Sequence, residues 1–324
     1  MAAAVSRMLV VVAGLTLIAG PLAAQTIYPI DRAAILAGAR FDFKVEFPVI
    51  EKEADLKITI NGEDYSRPLG KAVQFVENED GLNASSLVLR DAAIDKPGNY
   101  QVVASDGTRR SEVTWTVFAT GPRVAKNVIL FIGDGMSMAN RTAARILSKG
   151  IKEGKYFGKL AMDDMPQMAL IGTSGVDAIT TDSANSMSAY TTGHKSSVNA
   201  LGVYAARNKN NLEHPKVETI AELAKRKLDL AVGVVSDAEV QDATPAGMVA
   251  HTRRRVDKPE ITQMFLDDRV DVLMGGGSAY FLPKSTPGSK RKDDKNYLEL
   301  YRQAGFKLVP PRRRSRRRPR SLRQ

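Results

Sequence analysis

The sequence predicts two folded parts in succession: a small β-sandwich, then a doubly wound α/β domain with a largely parallel sheet. Two observations carry this prediction. Short stretches from about Ala37 to Thr120 alternate apolar and polar residues with period two. Beyond Gly121-Pro122 the apolar runs become continuous and alternate with helical stretches.

In the first part, Phe41, Phe43, Val45 and Phe47 alternate with Asp42, Lys44 and Glu46, as in a strand with one face in a core and one in water. Leu56, Ile58 and Ile60 repeat the pattern and stop at Asn61-Gly62, a turn pair. Further runs cover Val73 to Val76, Leu87 to Leu89 and Tyr100 to Ala104. Asp106-Gly107 then precedes Val113, Trp115 and Val117. Short strands with polar outer faces at this spacing suggest an immunoglobulin-like sandwich over residues 25–121.

In the second part, residues 122–310, Val128 to Ile132 (VILFI) reads as a strand buried on both faces. A helix is predicted from about Ala139 to Ser148, and a second buried strand over Met168 to Ile171. An amphipathic helix over Thr219 to Lys227 follows, with two more apolar strands over Leu230 to Val235 and Val270 to Met274.

The chain of 324 residues has room for two domains. Eight of its eleven net positive charges are arginines in the last fourteen residues, PRRRSRRRPRSLRQ, so the body is nearly balanced. That argues against a folded nucleic-acid-binding face. The tail, residues 311–324, reads as a solvated disordered end, an anionic-partner arm or a frame-shifted end. At the other terminus, Arg7, the apolar run Met8 to Gly20 and the small residues Ala23 and Ala24 resemble a signal peptide over residues 1–24. The run is shorter than the roughly twenty residues a membrane span needs. Export to the periplasm or medium is therefore expected, without stable membrane insertion. The chain has no cysteine, so any metal must be held by oxygen and nitrogen ligands.

Four segments could carry chemistry. Asp134 lies two residues beyond VILFI in Gly133-Asp134-Gly135-Met136, at a strand end where ligands gather in α/β sheets. It suits a hard cation, or equally a helix cap. Ser183, in Thr181-Asp182-Ser183-Ala184, opens a helix-compatible stretch. Free N–H groups and the helix dipole there favour an anion, although a simple capping box fits the same residues. In Gln241-Asp242-Ala243-Thr244-Pro245, extended backbone would send Asp242 and Thr244 from one face toward a cation, unless the segment is an ordinary turn. Arg253, Arg254 and Arg255 follow His251, and a guanidinium there could clamp a phosphate through two bonds.

Taken in order, NVILFIGDGM, TTDSANSMSAYTTGHKSSVNALGV, VSDAEVQDATPAGMVAHTRRR and VDVLMGGGSAYF resemble consecutive blocks of the alkaline phosphatases, from about Asn127 to Phe281. The resemblance implies metal-dependent hydrolysis of phosphate monoesters through a phosphoserine, with two zinc ions and one magnesium ion per site. Ser183 would be the nucleophile and a metal ligand, and Asp134 would bridge metals. Thr244 would ligate magnesium, with Asp242 acting there through water. Arg255 would hold the phosphate, oriented by Asp182, and His251 would be structural. Small phosphomonoesters would be the substrates, and the complete protein a homodimer.

One departure is plain. The chain has three histidines, His194, His214 and His251, whereas the resemblance implies further zinc ligands, aspartates and histidines, and a magnesium glutamate from a C-terminal half. The catalytic domain is accordingly expected to be cut short after about Val309. The alternative is a noncatalytic secreted binding protein with a degenerate phosphatase domain. A sulfatase or phosphodiesterase relative would lack the joint TDSA and QDATP blocks.

Overall fold

The structure, a computed structural model, describes residues 24–309. The predicted signal peptide, except its last residue, and the arginine tail lie outside the described residues.

Nine strands build the first part: β1 (Thr26–Tyr28), β2 (Ala34–Leu36), β3 (Arg40–Glu46), β4 (Lys57–Ile60), β5 (Glu63–Asp64), β6 (Gln74–Val76), β7 (Ser86–Ala93), β8 (Gly98–Ser105) and β9 (Arg110–Phe118). A short helix, α1 (Ser66–Leu69), lies between β5 and β6. One sheet has the order β1-β3-β7-β6 and the other β2-β9-β8-β4-β5. Pairing is antiparallel throughout, except that β2 runs parallel to β9. The alternating apolar residues meet between the sheets. Phe43, Val45, Phe47, Ile60, Val102 and Trp115 are all fully buried. The Trp115 ring stands edge-on to Phe41 and Phe43, and its Nε1–H donates to the Pro29 carbonyl at 2.9 Å. That bond removes the cost of burying the indole N–H.

The other face of β3 corrects the sequence reading. Asp42, Lys44 and Glu46 are buried, not in water. Residues 204–218 of the second part lie over them: Phe41 bridges to Val217, and the Asp42 N–H donates to the Lys216 carbonyl at 2.8 Å. Charge is paired as it is covered. Lys44 Nζ lies 2.7 Å from Glu46 and 2.8 Å from Glu79, while Arg207 Nε lies 3.0 Å from Glu79. Tyr28 stacks at a tilt on Tyr204, and its hydroxyl donates to the Ala205 carbonyl at 3.2 Å. Alternation reports which residues need an apolar neighbour. It cannot say whether polar ones meet water or a second polar surface.

The second part contains α2 (Met138–Lys149), a small hairpin of β10 (Ile151–Lys152) and β11 (Lys155–Tyr156), α3 (Ser183–Thr192) and α4 (Ile220–Leu228). After these come β12 (Gly233–Glu239), α5 (Ala243–Ala246), α6 (Lys258–Asp267), β13 (Val272–Gly276) and α7 (Tyr297–Gln303). Strands β12 and β13 pair in parallel, Val234 opposite Leu273. Val232, Val234, Ala243, Ile261, Phe265 and Tyr301 belong to the core that packs against them. Among the described residues only one face of this pair is covered. Val234 is 5% exposed and its neighbour Val235 72%.

Two predicted strands do not form. Val128 to Phe131 are 60–85% exposed and Met168 and Leu170 87% and 97%, with no strand at either run. A strand of a parallel sheet needs hydrogen-bonding neighbours on its edges and cover on both faces. The described residues supply neither here. Helix α2 forms where predicted, capped by Ser137, whose Oγ accepts the Asn140 N–H. Arg141 and Arg145 of this helix pair with Asp163. No helix among the described residues is long and apolar enough to cross a membrane.

Candidate active site

Helix α3 begins at Ser183. Its cap is Asp182, whose carboxylate accepts the Asn185 N–H at 3.0 Å, while the Asn185 side chain accepts the Asp182 N–H at 3.0 Å. The cap thus falls on Asp182, the residue before Ser183. Asp182 closes the helix end, and the Ser183 hydroxyl takes no part in the cap.

That hydroxyl donates to Asp134, at 3.0 Å from Oδ1 and 2.8 Å from Oδ2. Thr244 Oγ1 donates to Asp134 Oδ2 at 2.7 Å. Hydroxyls 49 and 110 positions along the chain from Asp134 therefore share its carboxylate. Asp134 sits in a turn in which Gly135 takes φ +68°, a backbone state that glycine adopts without strain.

A second cluster adjoins the first through the chain, since Asp182 precedes Ser183 and Asp242 stands two before Thr244. Arg255 Nη2 donates to Asp242 Oδ1 at 2.9 Å, and Nη1 lies 3.4 Å from Asp182 Oδ2. Burial works against the guanidinium charge, but the bonds to Asp242 and Asp182 outweigh it and raise its pKa. Burial also opposes ionisation of Asp242. The Arg255 bond and the Ala243 N–H prevail, and its pKa is lowered.

One geometric expectation fails. Asp242 and Thr244 do not leave one face of extended backbone, because Ala243–Ala246 is a helical turn capped by Asp242. The turn sends Asp242 to Arg255 and Thr244 to Asp134. The neighbouring arginines do different work: Arg253 Nη1 donates to the Val198 carbonyl at 2.8 Å.

The three histidines are all spoken for. His194 Nδ1 lies 2.5 Å from the Tyr204 hydroxyl, and burial pushes its pKa down to about 4. His214 Nδ1 accepts the Ala206 N–H at 3.1 Å. Its pKa is also about 4, lowered first by burial and then by Arg253 and Lys44. His251 is bonded to the Gly202 carbonyl at 2.8 Å and to Glu222 at 3.0 Å. Its burial is outweighed by the Glu222 charge, so its pKa is raised. No group of three His, Cys, Asp or Glu side chains suited to a metal occurs among the described residues.

The alkaline phosphatase family profile matches residues 125–318, more than half of the chain and the whole of this site. The chain belongs to the alkaline phosphatase family. It is 37% identical over 210 residues to the alkaline phosphatase of Escherichia coli (strain K12), covering 57% of this chain and 42% of that protein. It is 38% identical over 252 residues to alkaline phosphatase H of Pseudomonas aeruginosa (strain UCBPP-PA14), covering 69% of this chain and 50% of that one. Among solved structures, alkaline phosphatase from the Antarctic bacterium TAB5 is similar, with 27% identity and a TM-score of 0.43 over 52% of this chain and 44% of that one. The chain thus spans half or less of the length of these alkaline phosphatase relatives.

The site includes residues that sequence reasoning missed. Asn199 joins two members of the second cluster: its N–H donates to Asp182 Oδ2 at 3.2 Å, and its carbonyl accepts the Arg255 main-chain N–H at 2.8 Å. Glu222, the partner of His251, is likewise silent in the sequence, where it reads only as the acid of a helix start.

Proposed function

We propose that this chain binds phosphate monoesters at Ser183 and Arg255 and transfers the phosphoryl group to Ser183, as in alkaline phosphatase chemistry. The observation that carries the reading is the convergence of Ser183, Thr244 and Asp134 beside the Asp182–Arg255–Asp242 cluster, within the span the family profile matches. Arg255 presents two N–H edges to phosphate oxygens, a fork geometry suited to that anion. The Ser183 oxygen attacks phosphorus, the ester P–O bond breaks, and the alcohol leaves with a proton. Asp134 accepts the hydrogen bond of the attacking hydroxyl, and the N-terminus of α3 faces the developing negative charge. Water then cleaves the serine ester to release inorganic phosphate.

Asp134 with the Thr244 and Ser183 hydroxyls is an all-oxygen set, which fits a hard cation such as magnesium. A divalent cation held there would lower the pKa of the serine hydroxyl and neutralise phosphate charge. Zinc does not fit the described residues. A catalytic zinc site takes about three protein ligands, commonly histidine nitrogen, and no such group converges here. That shortfall favours the second reading, a secreted protein that holds phosphate esters without turning them over.

Residues 25–121 are taken as an immunoglobulin-like domain and 122–310 as the phosphatase domain. The protein is taken as exported and, when complete, a homodimer. The test is an acid quench after mixing the 324-residue chain with an aryl phosphate and excess magnesium and zinc. Peptide mass spectrometry is expected to find phosphate on Ser183, and none in Ser183→Ala. Phosphate retained in Ser183→Ala, or none in the parent, overturns phosphoryl transfer.

A further inference from the structure

Asn199 takes φ +68°, the left-handed region, where residues other than glycine are uncommon and asparagine is among those that tolerate it. In that conformation its two main-chain groups bond to the two residues of one ion pair, the carboxylate of one and the main chain of the other. The N–H meets the Asp182 carboxylate and the C=O meets the Arg255 N–H. Neighbouring bonds pin the same stretch: the Val198 N–H donates to Asp177 Oδ1 at 2.9 Å, and the Val198 carbonyl accepts Arg253 Nη1 at 2.8 Å.

We propose that Asn199 is a positioning residue of the phosphate site, its left-handed backbone clasping Asp182 and Arg255 in one fixed relation. Asp182 Oδ1 is taken by the α3 cap, and Oδ2 receives both the Asn199 N–H and the guanidinium. The carboxylate therefore cannot turn without breaking a bond at one end. Arg255 is held at two levels, main chain by Asn199 and side chain by Asp182 and Asp242. Both Asn199 bonds use main-chain atoms, so the side chain matters through the φ it permits. Glycine should serve, alanine should be strained, and a β-branched residue should expel the segment from this conformation.

The inference rests on the phosphate-binding reading above, and its test separates the two. In the 324-residue chain, hydrogen exchange of the Arg255 amide and the affinity for inorganic phosphate are measured for Asn199→Gly, Asn199→Ala and Asn199→Val. Asn199→Val is expected to speed Arg255 exchange and weaken phosphate about tenfold, the size of a left-handed penalty. The alanine variant, safer for folding, moves the same way by less, and glycine restores the parent values. The Leu223 amide, which is bonded to Thr219 in α4, exchanges as before in all three. Asp182→Ala combined with Asn199→Val should cost no more affinity than the larger single change, because one clasp is lost once. Unchanged Arg255 exchange in both the alanine and valine variants overturns the clasp. So does a double variant whose losses simply multiply. If the parent chain binds no phosphate, the phosphate reading falls, and the Arg255 exchange result still decides whether Asn199 holds that residue.

Discussion

Two apolar runs of similar length meet opposite fates in this molecule. Phe41, Phe43, Val45 and Phe47 lie fully inside the sandwich, whereas Val128, Ile129, Leu130 and Phe131 are 60–85% exposed. Composition does not separate them, because both are rich in aromatic and β-branched residues suited to strands. The difference lies in what each run needs. An alternating strand needs one apolar face covered and a hydrogen-bonding neighbour on each edge, and β3 finds β1 and β7. A continuous run needs both faces covered as well as both edges paired, and the described residues supply neither for Val128 to Phe131. The same contrast recurs within β12, where Val234 is buried and Val235 is not. Hydrophobic pattern measures a demand for burial, and topology decides whether it is met.

The largest expected effect contrasts the two runs directly. Trp115→Ala should destabilise the sandwich by about 4 kcal/mol, as for other buried aromatic truncations, while Phe131→Ala should change stability by less than about 0.5 kcal/mol. Urea unfolding followed by circular dichroism reads both. A large cost at Phe131 would break the contrast.

The junction sharpens the contrast, because there the sandwich depends on the second part. Lys44→Ala leaves the buried Glu46 and Glu79 to share Arg207 alone and should cost about 3 kcal/mol. A cost below about 1 kcal/mol, typical of exposed pairs, would mean that water reaches the polar face of β3.

The junction should also respond to acid. His194 and His214 have folded pKa values near 4, depressed from an ordinary 6.5. Their stabilisation is complete above the unfolded pKa and is lost as pH falls from 6.5 toward 4. Between pH 6.5 and 5.5 the pair should lose about 2 kcal/mol in total. His251 has the opposite sign: its raised pKa gives stability that is full below 6.5 and lost as pH rises through the folded value. It offsets a minor part of the fall in this window. Denaturant midpoints across the range should drop toward acid, and His194→Gln with His214→Gln should flatten the slope. An unchanged slope would place both imidazoles in water.

Strands β3, β4, β6, β7, β8 and β9 were legible from their apolar runs and turns: Arg110–Phe118 brackets the run read there, and Arg40–Glu46 takes in all of its run but Phe47, whereas β1, β2 and β5, of two or three residues, were not. At the site, Asp134, Asp182, Ser183, Asp242, Thr244 and Arg255 were all singled out, and the fold brings them into two adjoining clusters. The cover over Asp42, Lys44 and Glu46 was not legible. Ion pairs between segments more than a hundred residues apart leave no period in a sequence. Asn199 was missed for a related reason: its contribution lies in its backbone, and its only trace is that asparagine tolerates positive φ. Helix α5 was misread because a four-residue turn is too short to show a helical period.

The two clusters adjoin through Asp182–Ser183 and Asp242–Thr244, and we propose them as one phosphate site. The most direct test is a titration of the 324-residue chain with inorganic phosphate, followed by phosphorus NMR or calorimetry, for the parent and Arg255→Ala. The account predicts saturable one-to-one binding in the parent and at least a tenfold loss in the variant, about the worth of a charge-assisted pair. Equal affinity in parent and variant would contradict it.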